Sequence, residues 1–128
     1  MTPTPGLVLD AGALLAIEKG HVKIRALLRT AQREGLVLRV PAGVVAQVWR
    51  GGSRKARVAR LLADPTVRVL ALDDVTARTV GLLAGRSRHA DAVDVHVALV
   101  AREHRASVVT SDPDDLRRVD PTLELIVV

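Results

Sequence analysis

Asp91, Asp94, Asp112, Asp114 and Asp115 crowd into "HADAVDVHVALVAREHRASVVTSDPDDL", residues 89–116, of a chain whose net charge is +5. Carboxylates repel, so each is either spread over a solvated surface or gathered by a cation. Three or four acids gathered without a cation raise one another's pKa values. A hard divalent ion such as Mg²⁺ or Mn²⁺ removes that cost; it prefers oxygen ligands and keeps several waters, so a few carboxylates suffice. The chemistry such a site performs is metal-assisted phosphodiester hydrolysis. The ion lowers the pKa of a water and neutralises charge on the phosphate and the leaving group.

Asp10 joins this set through its position. "GLVLD" (6–10) reads as a buried strand ending at Asp10, and "ASVVT" (106–110) as a later strand with Asp112 just past its end. Ligands of open α/β sheets bind beyond the carboxyl ends of the strands. Asp91 and Asp94, three apart, share one face in the first turns of a helix expected over 89–104, while Val93, Val97 and Val100 form the stripe that packs on the sheet. Thr110 and Ser111 offer hydroxyls around the same rim. Each acid also has an architectural reading. Asp112 followed by Pro113 is a good helix start, Asp115 sits where a capping acid helps, Asp10 can cap the helix from Ala11, and Asp91 and Asp94 complement a helix dipole. The functional reading rests on convergence of three separate elements on one edge.

The elements that position these residues alternate. Helices are expected at 11–20, 21–35, 42–50, 53–64 (with Ser53 as N-cap), 74–84, 89–104 and 112–119. Strands are expected at 6–10, 36–40, 67–72, 106–110 and 123–128, and "GRSR" (85–88) reads as a loop. Near-continuous apolar strands alternating with helices predict a three-layer α/β/α sandwich, in one domain spanning 1–128, with a mostly parallel sheet of about five strands.

Composition narrows the function. Aromatics are 1% of the chain, Trp49 alone, so a surface stacking several bases on rings is excluded. Lys+Arg 19 against Asp+Glu 14 favours a polyanionic partner. The absence of Cys excludes disulfides, thiolate zinc sites and thiol nucleophiles. No run is long enough to span a bilayer and no signal peptide is evident, so a cytoplasmic protein is expected. "RGGSRKARVAR" (50–60) is the candidate RNA-binding surface, with Arg50, Arg54, Lys55 and Arg57 on it and a Gly pair for close backbone approach; Arg86, Arg88 and His89 extend it toward Asp91. The histidines match no metal spacing, and His96 and His104 are expected at solvent or on the helix flank. "GALLAIEKGHVKIRALL" (12–28) is apolar beyond one buried stripe and is the candidate partner contact.

Four segments, "LVLDAGALLAIE", "VPAGVVAQVWRGG", "ADAVDVHVALVAR" and "VVTSDPDDL", together resemble a PIN-domain protein of the VapC toxin type, in order and over nearly the whole chain. The resemblance implies a PIN fold, Mg²⁺- or Mn²⁺-dependent endoribonuclease activity, a homodimer and inhibition by a cognate antitoxin protein. It implies metal ligation by Asp10, Asp94 and Asp112, with Asp115 assisting through a water or a second metal position. One departure stands out: the family generally carries a Glu in the helix after the second strand, where this chain has Gln47. The expectation drawn from this is that Asp91 supplies the missing charge. A catalytically weakened PIN-fold protein that only binds RNA or a partner is the alternative. A phosphoryl-accepting signalling domain is disfavoured, because Asp10 stands alone and no Lys follows residue 55. A dinucleotide-binding domain is disfavoured because no G-x-G-x-x-G follows a strand.

Overall fold

The computed structural model describes residues 6–50, 55–88 and 91–128. In chain order the elements are β1 (Gly6–Leu9), α1 (Ala11–Glu18), α2 (Val22–Arg33), β2 (Val37–Pro41), α3 (Ala42–Trp49), α4 (Ala56–Leu62), β3 (Val67–Leu70), α5 (Asp74–Ser87), α6 (Ala92–His104), β4 (Ser107–Thr110), α7 (Pro113–Val119) and β5 (Leu125–Val127). The five strands form one all-parallel sheet in the order β3-β2-β1-β4-β5. This is the α/β/α sandwich expected from the strand–helix alternation.

The order reverses at β1, which pairs with β2 on one side and β4 on the other. The ends of β1 and β4 therefore lie side by side, with Leu9 opposite Val109. Both strands are buried almost throughout: Val8, Leu9, Val108 and Val109 are all 0% exposed. Aliphatic side chains carry this core, each full burial contributing roughly 1.5–3 kcal/mol. A second cluster, Val80, Val95 and Leu99, fastens α5 to α6.

Strands β3 and β5 are shorter than the expected 67–72 and 123–128, and three helix boundaries also differ from the sequence reading. Helix α5 runs through the expected "GRSR" loop as far as Ser87, whose hydroxyl donates to the Leu83 carbonyl at 2.9 Å; Arg88, at φ 54°, stops it. Gly85 is thus a helical residue rather than a breaker. Helix α6 starts at Ala92, not at 89, because Asp91 caps it. Helix α4 starts at Ala56, with Lys55 before it making no side-chain cap; Ser53, the expected cap, lies outside the described residues.

Candidate active site

Asp10 is the first residue beyond β1. Its backbone N–H still donates to the Val109 carbonyl at 3.3 Å, extending the β1–β4 ladder by one step. Its side chain turns back to cap α1, with Oδ1 accepting the Ala13 N–H at 2.9 Å. Asp10 is only 9% exposed and Thr110, at the end of β4, is 0% exposed. The Thr110 Oγ1 accepts the Asp112 backbone N–H at 2.9 Å, and the Thr110 side chain also hydrogen-bonds the Asp10 carboxylate. A hydroxyl has one hydrogen to give and two lone pairs to accept with. With the oxygen accepting from Asp112, the hydrogen serves Asp10.

Burial is the largest influence on Asp10 and pushes its carboxyl above the ordinary aspartate range; the negative charge of Asp94 pushes the same way. The Thr110 hydroxyl and the Ala13 and Gly12 N–H groups pull it back without cancelling the rise. Two acids from distant parts of the chain are thus near enough to feel each other, one of them buried. Asp94 lies half-buried in the first turn of α6.

Close approach of the helix ends depends on two glycines. A Cβ on Gly12 would lie 2.0 Å from Ser111 Oγ and 3.2 Å from Ser111 N, so the missing side chain lets the β4–α7 connection settle against the start of α1. A Cβ on Gly43 would lie 2.9 Å from Val93 Cγ2, so α3 and α6 meet at their N-terminal turns beside Asp94. Gln47, half-buried, is one turn further along the Gly43 face of α3.

The other acids are used differently from one another. Asp91 is exposed and its Oδ1 accepts the Val93 N–H at 2.9 Å, an N-cap bond. Asp112 is at the N-cap position of α7 but makes no side-chain cap bond, so the capping role open to it in the sequence is not taken. Asp114 and Asp115 each meet an arginine one turn on, Arg117 and Arg118, both at 3.5 Å. Ser111 is exposed beside Gly12.

Among the candidate basic residues, Arg50 is exposed at the C-cap of α3. Lys55 Nζ sits 5.4 Å from the centre of the Trp49 ring. Arg57 is drawn to α1: its Nη1 donates to the Glu18 carbonyl at 3.2 Å and its backbone N–H to Glu18 Oε2 at 3.3 Å. Gly20, at φ 71°, provides the space for that guanidinium. Arg54 and His89 lie outside the described residues.

His96 corrects the sequence reading, being 2% exposed rather than at solvent. Burial first lowers its pKa, while Glu103 and Asp73 oppose that shift. Gly12 and Gly43 went unremarked in the sequence. Their only signal was a glycine at the second position of the helix after β1 and of the helix after β2.

Among the described residues, no three His, Asp or Glu side chains are already drawn around one metal position. The expected ready-made cluster is therefore replaced by the Asp10–Asp94 pair, with Asp112 tied to it through Thr110. The donor set still suits Mg²⁺ or Mn²⁺: it is all oxygen, and Mg²⁺ typically binds one or two carboxylates with waters and substrate phosphate completing its shell. Burial is the larger cause of the raised Asp10 carboxyl, and the part that comes from Asp94 is a repulsion that a cation would relieve.

The PIN domain family model matches residues 7–121, from β1 to beyond α7. The chain belongs to the PIN-domain family. Solved structures share the fold of this PIN domain at low identity. VapBC2 from Rickettsia felis bound to a promoter DNA fragment matches at TM-score 0.75 and 17% identity, over 95% of this chain and 98% of that one. A toxin–antitoxin complex from Klebsiella pneumoniae matches at 0.70 and 14%, over 95% and 97%. FitAcB from Neisseria gonorrhoeae matches at 0.64 and 19%, over 94% and 96%. No curated protein matches the chain by sequence. Among the described residues of the PIN domain, no helix is long and apolar enough to cross a membrane.

Proposed function

We propose that this PIN domain is a Mg²⁺- or Mn²⁺-dependent endoribonuclease, the toxin of a toxin–antitoxin pair, acting in the cytoplasm as a homodimer until its antitoxin binds. The observation that carries this reading is the buried Asp10 carboxylate, raised by burial and by Asp94 and held by Thr110. A buried carboxylate with a second acid close enough to act on it, at a sheet's switch point, is the kind of placement that marks functional sites.

Asp10 and Asp94 would hold the cation, with Asp112 as the third acid and Asp115 one turn beyond it. The ion, when bound, supplies an acidified water and charge neutralisation at the phosphate. The chain's own residues do the rest. Thr110 fixes the Asp10 rotamer and, through the Asp112 N–H, the path of the backbone that carries the third acid. Asp112, its carboxylate not engaged in a cap, is free to turn toward the cation or accept a proton from the attacking water. Asp91 remains the candidate for the charge that Gln47 lacks. Arg50, Arg54, Lys55 and Arg57 would hold phosphates along the approach.

The antitoxin reading draws on the company the fold keeps, since one of the similar structures is a toxin–antitoxin complex. Leu15 and Val22, 46% and 80% exposed, give the α1–α2 segment apolar surface for such a partner. The second reading, a PIN-fold module that binds without cutting, is favoured by Gln47 and by the absence of a preassembled acid cluster among the described residues. Titrating the protein with Mn²⁺ while following cleavage of a mixed RNA substrate decides between them. Metal-dependent cleavage lost in Asp10→Asn supports the nuclease. Absence of cleavage at saturating Mn²⁺ sinks it in favour of the module.

A further inference from the structure

Helix α2 carries four cationic side chains on twelve residues. Lys23, Arg25, Arg29 and Arg33 are exposed along it, and no acid lies within its twelve residues. Arg25, Arg29 and Arg33 follow one another at i,i+4, where like charges destabilise a helix by a few tenths of a kcal/mol per pair. Some arginines on other helices are ion-paired: Arg78 meets Asp74 on α5, and Arg117 and Arg118 meet Asp114 and Asp115 on α7. Among the described residues no carboxylate pairs with the α2 arginines. Shallow hollows lie between them, one lined by Val22, Arg25, Ala26 and Arg29, another by Ala26, Arg29, Thr30 and Arg33.

The ladder also has a direction. Lys23 Nζ donates to the Val127 carbonyl, and Val127 is the register partner of Thr110, the residue between Asp10 and Asp112. Helix α2 thus begins at the carboxyl edge of the sheet, the edge that also carries Asp10 and Asp112. It ends at the opposite edge of the sheet, since β2 follows it and starts level with Gly6, the first residue of β1. From Arg25 to Arg33 the ladder covers about 12 Å. On the α4 side lies a groove of about 500 Å³ lined by Arg25, Arg57 and Arg60, with a single acid, Asp64, on its wall.

We propose that α2 is a track for the phosphate backbone of single-stranded RNA, leading away from the acidic rim. This rests on the nuclease reading and adds which surface holds the strand flanking the cut. Regularly spaced guanidiniums and a lack of rings suit backbone-dominated, sequence-tolerant binding.

The test is binding of a labelled oligouridylate in EDTA, where cleavage is blocked, over a salt series. Comparison is between the wild type and R25Q/R29Q/R33Q, with R78Q as the ion-paired control. Gln keeps helix propensity, and circular dichroism checks the fold. Three lost contacts should reduce the slope of log K against log[salt] by about 2, so that between 50 and 200 mM salt the wild type loses about 20-fold more affinity than the variant. R78Q should match the wild type. An unchanged slope in the triple variant overturns the track while leaving the nuclease intact, provided that Mn²⁺-dependent cleavage persists. An unchanged RNA slope with lost binding of oligoglutamate reassigns the face to an acidic protein and also overturns it. A wild type that neither binds nor cleaves RNA removes the nuclease reading and the track together.

Discussion

The Thr110 hydroxyl joins Asp10 to the backbone of Asp112: its oxygen accepts the Asp112 N–H at 2.9 Å and its hydrogen is left for the Asp10 carboxylate. Thr110→Val keeps the shape and removes both bonds. Leaving a buried carboxylate and an N–H without this partner costs roughly 1–3 kcal/mol. Activity should fall about 10–100-fold, as when the outer partner of a metal ligand is lost. Thr110→Ser should keep most of both. RNA cleavage rates and urea melts of the two variants provide the check; equal behaviour of Val and Ser would show that the hydroxyl is idle.

Asp10→Asn should separate function from stability. The amide retains a cap acceptor for Ala13 but not the charge, so cleavage should drop by more than the Thr110→Val loss. Because burial raises the Asp10 carboxyl in the fold, the native state favours its protonated form, and ionisation weakens the fold as pH rises through that raised value. Removing the charge should therefore raise the melting temperature in EDTA at neutral pH. A lower melting temperature for Asn would contradict this account of Asp10.

Asp91 and Gln47 answer a single question together. Asn is as good an N-cap as Asp, so Asp91→Asn removes charge while sparing the Val93 bond. Its melting temperature should stay within about 1 °C of the wild type, and its cleavage rate reports whether the charge was in use. If Asp91 supplies the charge that Gln47 lacks, cleavage should fall about 10–100-fold; cleavage within about threefold of the wild type would end that reading. Gln47→Glu should tighten Mn²⁺ binding, measured by calorimetry, if the Gly43 face of α3 reaches the site.

Gly12→Ala places a methyl against Ser111. Overpacking of this kind costs about 1–3 kcal/mol, and displacement of the Ser111–Asp112 connection should lower cleavage. Adding Ser111→Gly removes the obstructing Oγ and Cβ and should restore activity over that of Gly12→Ala alone. A double variant no better than the single would place the damage elsewhere.

His96 sets part of the acid limit of stability. Its folded pKa is below the ordinary value of about 6.5, chiefly through burial, with Asp73 and Glu103 opposing. The unfolded chain then binds more protons below that value, so stability is lost as pH falls from about 6.5 through the lowered folded pKa. His104, lowered by burial and Arg39, adds in the same sense. Thermal melts from neutral to acidic pH should decline less steeply for His96→Gln; an equal decline would leave the limb to the carboxylates and His104.

The sheet and its acidic rim were legible because both follow from local signals. Leu7, Val8 and Leu9 form an apolar run closed by an acid, and Val108, Val109 and Thr110 form another closed by Asp112. Parallel order then puts the two ends together. The difference between the capping acids was not legible, since Asp10, Asp91 and Asp112 all stand in front of helices and only tertiary contact shows which oxygen is engaged. His96 was misplaced because periodicity marks one buried stripe, whereas α6 is covered by the sheet on one side and by α5 on another. Gly85 misled for a related reason: glycine is tolerated within a helix whose hydrophobic partners, here around Val80 and Leu99, hold it in place.

Trp49 is the only aromatic residue of the chain, half-exposed at the junction of α3 and α4 with the Lys55 ammonium over its ring. All near-ultraviolet emission of the protein therefore originates from one indole at the end of α3. A ligand that covers that ring or displaces Lys55 from it announces itself spectroscopically without any dye.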